Sequence, residues 1–319
     1  MSVKHNKELY RKLCEQEPSI PLFLTAAWLD HTAGSENWDV ALVVKGEEVF
    51  AAWPYTWLNK WGFRIAIAPP LTPYLGIWIK YPAGQKTSSK LSHEKEMVGE
   101  LVTQLPSFSH FYQHFSVQFT NGLPLHWKGF RHTLRYTYVL DELQDLDEVK
   151  SRFRQNIRRA LKKAEELVLE ESNETDLIFK LSDRAYGHQK INFNLSLKRF
   201  KSLYNYIEQN NIGQLYQVTD KEGAVHAMML FVWDKESVYY LFGAANPDYK
   251  TSGAMSLLIW QGIQIAAQKG LVFNFEGSMI ESIERFFSSF GAKQQPYLQV
   301  SKTNSLLYKW INLLRGRNL

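Results

Sequence analysis

Cysteine is almost missing from this chain of 319 residues: Cys14 is the only one. One thiol excludes an internal disulfide framework and any zinc site built on a cysteine cluster, and it fits a reducing compartment. Long apolar runs are missing too. No segment reaches the length needed to cross a bilayer, and the start, Met1-Ser-Val-Lys-His-Asn6, lacks the apolar core of a secretion signal, so no membrane span is expected and the expected location is the cytoplasm. No repeat is visible along the sequence. What is present suits a globular protein: hydrophobic residues make up 45% and charged residues 22%, enough for substantial cores in two ordinary domains or one large one. The net charge of +5 gives a mild bias toward an anionic partner.

The first half predicts helices over 7–17 and 24–30, then a hairpin of strands over 38–44 and 48–57 about Lys45-Gly46-Glu47. A strand over 64–69 follows, then an exposed polar run at 81–92, a helix over 94–105, and strands over 111–119 and 130–140. Pro69-Pro-Leu-Thr-Pro-Tyr-Leu-Gly76 reads as a rigid loop, either a packed turn or the wall of a substrate pocket.

At 141–147 the composition turns acidic, and just beyond it turns basic. Lys150, Arg152, Arg154, Arg158, Arg159, Lys162 and Lys163 fall on one predicted helix whose apolar stripe is Leu146, Val149, Phe153, Ile157 and Leu161. A spacing of four puts Arg154, Arg158 and Lys162 on one face. Such a face is either merely solvated or an anion-binding surface. A strand over 167–171, helices over 174–187 and 196–209, and strands over 213–220, 224–233 and 238–242 complete the approach to the most informative stretch.

That stretch, 238–301, reads strand, tight loop, helix, strand, helix, strand. Thr251 and Ser252 are N-cap residue types for the first helix, and Lys269-Gly270 stops it. A helix that starts at the end of a strand offers unpartnered N–H groups and a positive dipole end, a ready site for a pyrophosphate. A plain crossover in which Thr251 and Ser252 only cap is the alternative. The strand over 271–275 then opens into Glu276-Gly-Ser278 and another predicted helix.

Lys250-Thr-Ser-Gly253-Ala-Met255 resembles a degenerate pyrophosphate loop of the GNAT acyltransferases, which runs Gln or Arg, two residues, Gly, one residue, Gly or Ala; Lys250 and Met255 depart from it. The longer set, Tyr240-Leu-Phe-Gly-Ala244, the helix with Trp260, Phe273-Asn-Phe-Glu-Gly277 and Arg285-Phe-Phe-Ser-Ser-Phe-Gly291, resembles the FemAB-like branch of that superfamily, the relatives of the peptidoglycan cross-bridge ligases. Arg152 to Lys163 is similar to the helix that begins the second domain there.

The resemblance implies an α/β fold of the α+β type. Two tandem GNAT-like domains, 1–143 and 144–319, would each hold a mostly antiparallel mixed sheet flanked by helices, the second carrying the donor loop. It implies an N-acyltransferase that moves an acyl group from acyl-CoA, acetyl-CoA being the first choice, to a small-molecule or lipid-linked amine in cell-envelope or sugar metabolism, with no metal. Phe242, Gly243, Lys250, Thr251, Ser252, Gly253 and Ala254 would meet the donor, with a backbone N–H over 241–244 facing the oxyanion. Tyr74, Arg154, Arg158, Tyr240, Ser278 and Arg285 would meet the substrate.

Glu276, at the carboxyl end of its strand where open α/β sheets place ligands, is the candidate proton acceptor. It could equally cap the next helix, and His188 is the other candidate base. Where the aminoacyl-tRNA-using ligases have Phe-Lys, this chain has Phe286-Phe287, and it lacks the coiled-coil arm of some of them. Both departures turn the expectation from aminoacyl-tRNA to acyl-CoA, leaving nucleic acid a partner only if aminoacyl-tRNA is the donor. A non-catalytic GNAT-like binding module is the remaining alternative.

Overall fold

The computed structural model describes residues 3–187, 195–277 and 279–315. It opens with α1 (Val3–Gln16) and α2 (Ala26–Thr32), followed by the strands β1 (Trp38–Lys45), β2 (Glu48–Lys60), β3 (Phe63–Ala66) and β4 (Trp78–Ile79). Next come α3 (Thr87–Gln104), β5 (His110–His114), α4 (Leu123–Trp127) and β6 (Arg131–Leu140). The middle of the chain forms α5 (Leu146–Ser151), α6 (Gln155–Lys163), β7 (Val168–Ser172), α7 (Thr175–Gly187) and α8 (Leu197–Gln209). The strands β8 (Gly213–Thr219), β9 (Val225–Trp233) and β10 (Ser237–Ala245) lead to α9 (Ala254–Lys269) and β11 (Val272–Asn274). Last come α10 (Glu281–Ser288), β12 (Lys293–Thr303) and α11 (Leu306–Leu314).

The chain makes two compact units. One holds residues 1–135 and 296–319, the other residues 136–295. The chain leaves the first inside β6 and returns to it inside β12, whereas the sequence places a single junction at 143/144. The acidic cluster that suggests that junction has a local task in the second unit. Asp145 accepts hydrogen bonds from the backbone N–H of Asp147 at 2.9 Å and of Glu148 at 3.1 Å, capping α5.

In the first unit β1 pairs antiparallel with β2, β2 with β3 and β4, and β12 with β5, while β3 and β5 run parallel. Its core is aromatic, with Trp53 edge-on to Phe111 at 5.4 Å and to Phe115 at 5.7 Å. The second half of the polar run before the predicted helix is helix already, since α3 begins at Thr87.

In the second unit β6 pairs antiparallel with β11, β10 with β9, β9 with β8 and β8 with β7; β10 and β11 run parallel, joined by the crossover helix α9. Each unit is thus a mixed, mostly antiparallel sheet with helices against it, as expected. The helix predicted over 146–163 is instead two. Phe153 breaks it by turning into the core, 5.6 Å from the Trp260 ring and 5.2 Å from Phe290, and α6 restarts from Arg154, whose N–H reaches the Ser289 carbonyl at 2.8 Å. Arg154 is therefore the extended N-cap of α6, ψ 157°, rather than a member of a cationic helix face with Arg158 and Lys162.

Candidate active site

The site is built where β10 and β11 part. Their pairing runs Ser237 with Val272, Val238 with Phe273 and Tyr239 with Asn274, and β11 then ends, while β10 continues to Ala245 against β9. Within that continuation the register with β9 skips Leu241, between Tyr240 opposite Phe231 and Phe242 opposite Leu230. A bulge of this kind re-aims backbone groups and recurs beside active sites. It falls within 241–244, where an oxyanion donor is expected. Phe242 turns its ring into the core, 5.5 Å from Phe200, so only its backbone is placed for a ligand. Over Gly243 lies the Tyr240 ring, whose hydroxyl would stand 2.7 Å from any Cβ there.

After β10 the chain turns through a short loop. Asn246 accepts from the Asp248 N–H at 3.2 Å, and its amide donates to the Val225 carbonyl at 3.0 Å. Tyr249 lies flat on the His226 imidazole at 3.9 Å, and that ring reaches an Asp220 carboxylate oxygen at 3.1 Å. The sequence gives no sign of this His226–Asp220 pair, which buttresses the loop from beneath. Lys250 and Thr251 are exposed, and Ser252 accepts from the Ala254 N–H at 3.3 Å. Gly253, φ 88°, is the N-cap of α9.

Gly253 is required by its neighbour as well as by its φ. A Cβ there would sit 2.2 Å from the Ala160 carbonyl oxygen, because the end of α6 packs against the start of α9. Lys163, in the last turn of α6, donates to the Thr251 carbonyl at 2.5 Å. Gly253→Ala is thus expected to cost roughly 2–4 kcal/mol by forcing a strained φ and a backbone clash together. Denaturant unfolding of this variant at the parental midpoint would show that α6 yields freely there.

Beside this helix start lies a groove of about 330 Å³ between α5, α6 and α9. Phe153, Leu161, Leu257 and Trp260 supply apolar walls, and Lys150, Arg158 and Lys162 stand around them. Lys150 lies over the Trp260 ring at 4.7 Å, a cation–π contact. Three cations of the basic run therefore line this groove together with Glu165; Arg158 and Lys162 keep their expected spacing of four on α6, while Arg154 does not join them.

Glu276 lies just beyond the end of β11. It is half-buried and has φ 60°, a left-handed backbone that costs a non-glycine residue of order 1–3 kcal/mol. Its N–H donates to the Asn274 side-chain oxygen at 2.9 Å, which also accepts from Thr137 at 2.8 Å. The following Gly277, φ 54°, has no room for a side chain: a Cβ would lie 2.3 Å from the Tyr136 carbonyl oxygen on β6. The turn is thereby pinned to the neighbouring strand. Burial, with a smaller push from the Asp234 charge, raises the Glu276 carboxyl pKa to about 8. The capping alternative falls away, because the next helix begins only at Glu281 with Ile280 as its N-cap.

The remaining expected residues are scattered. Arg285 sits on the exposed face of α10 in an ion pair with Glu281 at 2.8 Å. Phe287 is in the core, 5.2 Å from Phe275. Tyr74 belongs to the first unit and packs edge-on against Phe23 at 5.1 Å. His188 and Ser278 lie outside the described residues. The first unit also carries a polar strip on one face of β5 that sequence reasoning passes over: the Tyr112 hydroxyl meets His114 Nε2 at 3.0 Å and Gln299 at 3.0 Å. Burial, followed by the nearby Arg135 charge, holds the His114 pKa down at about 4. Its only sequence trace is the broken alternation of Phe111, His114 and Phe115. Among the described residues no group of three or more His, Cys, Asp or Glu could hold a metal ion, and no helix is long and apolar enough to cross a membrane.

Residues 151–278 match the family described as Acetyltransferase (GNAT) domain. Comparison with curated proteins returns no match. Among solved structures, FemX is similar with a TM-score of 0.62 at 12% identity, over 99% of this chain and 99% of that one. The C-terminal domain of a protein described as a lysylphosphatidylglycerol synthetase, from Agrobacterium fabrum, gives 0.56 at 16% identity over 97% and 96%. L-PGS from Bacillus licheniformis gives 0.54 at 14% over 91% and 93%. The chain therefore matches the GNAT acetyltransferase domain family over residues 151–278 and shares, over nearly its whole length, the fold of FemX.

Proposed function

We propose that this protein is a cytoplasmic N-acyltransferase that takes an acyl group from acyl-CoA and delivers it to an amine of cell-envelope or sugar metabolism, with Glu276 as the general base. The observation that carries the reading is the Glu276 carboxyl: its pKa is raised to about 8, and it is held in a strained turn at the end of β11, where that strand leaves β10. A carboxylate with such a pKa accepts a proton efficiently near neutral pH.

In this reading the neutral amine nitrogen attacks the thioester carbonyl carbon, forming the C–N bond and placing charge on the carbonyl oxygen. A backbone N–H of β10 beside the Leu241 bulge stabilises that oxyanion. Collapse breaks the C–S bond, the amine proton passes to Glu276, and the departing thiolate is protonated from water. The donor's phosphates suit the loop over 250–254 and the cations of the adjoining groove, Lys150, Arg158 and Lys162. The chain's only cation in the Arg285-Phe-Phe segment is tied to Glu281 at the surface, which favours acyl-CoA over aminoacyl-tRNA as donor.

Calorimetric titration with CoA and acetyl-CoA tests the donor assignment. The parent should bind both, and the double variant Arg158→Ala/Lys162→Ala should bind each about tenfold or more weakly, with the loss shrinking in high salt. Failure of the parent to bind either ligand would remove the acyl-CoA assignment and leave a non-catalytic module.

A further inference from the structure

The last described helix, α11, is mounted the wrong way round for a soluble protein. Ser305 caps it, accepting from the Tyr308 N–H at 3.2 Å, and the face laid against the first unit is its less apolar one. Tyr308 stacks on His110 at 5.4 Å and meets Phe63 edge-on at 5.2 Å, and Asn312 is buried. Leu306, Leu307, Trp310, Leu313 and Leu314 recur at helical spacing on the opposite side, between 54% and 83% exposed. Trp61, at the tip of the β2–β3 hairpin and 60% exposed, extends the same patch, with the Arg315 guanidinium over its ring at 4.2 Å and Lys60 at 4.6 Å.

The charges around this stripe have one sign. Residues 285–319 contain no Asp or Glu, while Lys309 and Arg315 fall in or beside the helix and Lys60 at the hairpin tip. We propose that the outward face of α11, together with Trp61, seats the protein on an anionic lipid bilayer, the leucines and tryptophans entering the headgroup boundary and the Lys and Arg side chains meeting lipid phosphates. A helix with an apolar Leu/Trp face and a cationic flank has the composition of interfacial helices, and tryptophan favours that boundary. A second copy of the chain is the poorer occupant, since two such faces brought together would also bring Lys309 and Arg315 against like charges. This inference stands on the first unit alone and does not depend on the acyl-transfer reading.

The test is co-flotation of the full chain with vesicles of phosphatidylcholine, with and without a third of phosphatidylglycerol, read also by tryptophan fluorescence. Partitioning should be about tenfold or more stronger onto the anionic vesicles and should weaken as salt is raised. Trp310→Glu/Leu314→Glu should lose at least about tenfold of that binding with unchanged melting temperature, since both side chains point to solvent. Lys309→Glu/Arg315→Glu should abolish the preference for phosphatidylglycerol. No binding at low ionic strength, or equal binding by parent and variants, would overturn the proposal. So would a concentration-dependent dimer that Trp310→Glu/Leu314→Glu dissociates while vesicles capture nothing, which would assign the face to self-association instead.

Discussion

Glu276→Gln should lower the rate of acyl transfer by roughly 10²-fold or more while leaving acyl-CoA affinity near the parental value, the scale on which loss of a general base is felt. The carboxyl is held in place by backbone, through its own N–H to Asn274 and through Gly277 against β6, so the amide should occupy the same position. The pH dependence separates this role from a structural one. The parent's rate should climb with pH to about 8 and then level, the pKa to which burial raises Glu276, and that limb should vanish in the glutamine variant. An aromatic amine as acceptor keeps the acceptor's own titration out of this range.

Stability should move in the opposite sense. A carboxyl whose folded-state pKa lies above its unfolded value, near 4.3, stabilises the fold below that lower value, and the contribution is lost as pH rises through about 8. The variant should therefore match the parent's melting temperature at pH 4 and exceed it by several degrees at pH 9. Full activity in Glu276→Gln, with the rate–pH limb intact, would take this residue out of the mechanism and leave His188 or water as the acceptor.

Phe153→Ala should cost about 3–5 kcal/mol, the range for deleting a fully buried aromatic side chain. Phe153 is 2% exposed, and its ring fills the corner between Trp260 and Phe290 on which α5 ends and α6 restarts. Removing it leaves a void under the groove and frees the Arg158-bearing helix from its anchor, so donor affinity should fall along with the unfolding midpoint. A loss below about 1 kcal/mol would show that the corner collapses onto the space, and the role of Phe153 as a spacer would be wrong.

Patterns confined to a few neighbouring residues are legible in the sequence itself. The hairpin about Gly46, the strand Ser237 onward, the stop at Gly270 and the placing of Glu276 at a strand end all rest on alternation, turn chemistry or a cap. What escaped depended on distant partners. Nothing between Leu146 and Lys163 warns of a break, since no Gly or Pro stands there and Phe153 fits the helical stripe; its ring leaves the helix only because Trp260 and Phe290, more than a hundred residues on, make a place for it. The turn between β11 and α10 is hidden for a related reason: Glu276 and Gly277 both take positive φ, and only Gly277 signals such a turn in sequence. Likewise the pKa of Glu276 depends on burial in the folded chain and on Asp234, neither of which a local window contains.

The two crossings of the chain, inside β6 and inside β12, set an order of events during synthesis. The second unit is one uninterrupted stretch and is complete once residue 295 has left the ribosome. The first unit is not: β5 pairs with β12, His114 opposite Gln299 and His110 opposite Thr303, so its sheet waits for a strand made long after the rest of it. Until then β5 presents an edge with its partner missing, the kind of edge that invites pairing with another chain. The nascent first unit, rather than the second, is then the part of this protein most in need of a chaperone, and stalling translation between residues 140 and 290 should yield an aggregation-prone species that release of the full chain rescues.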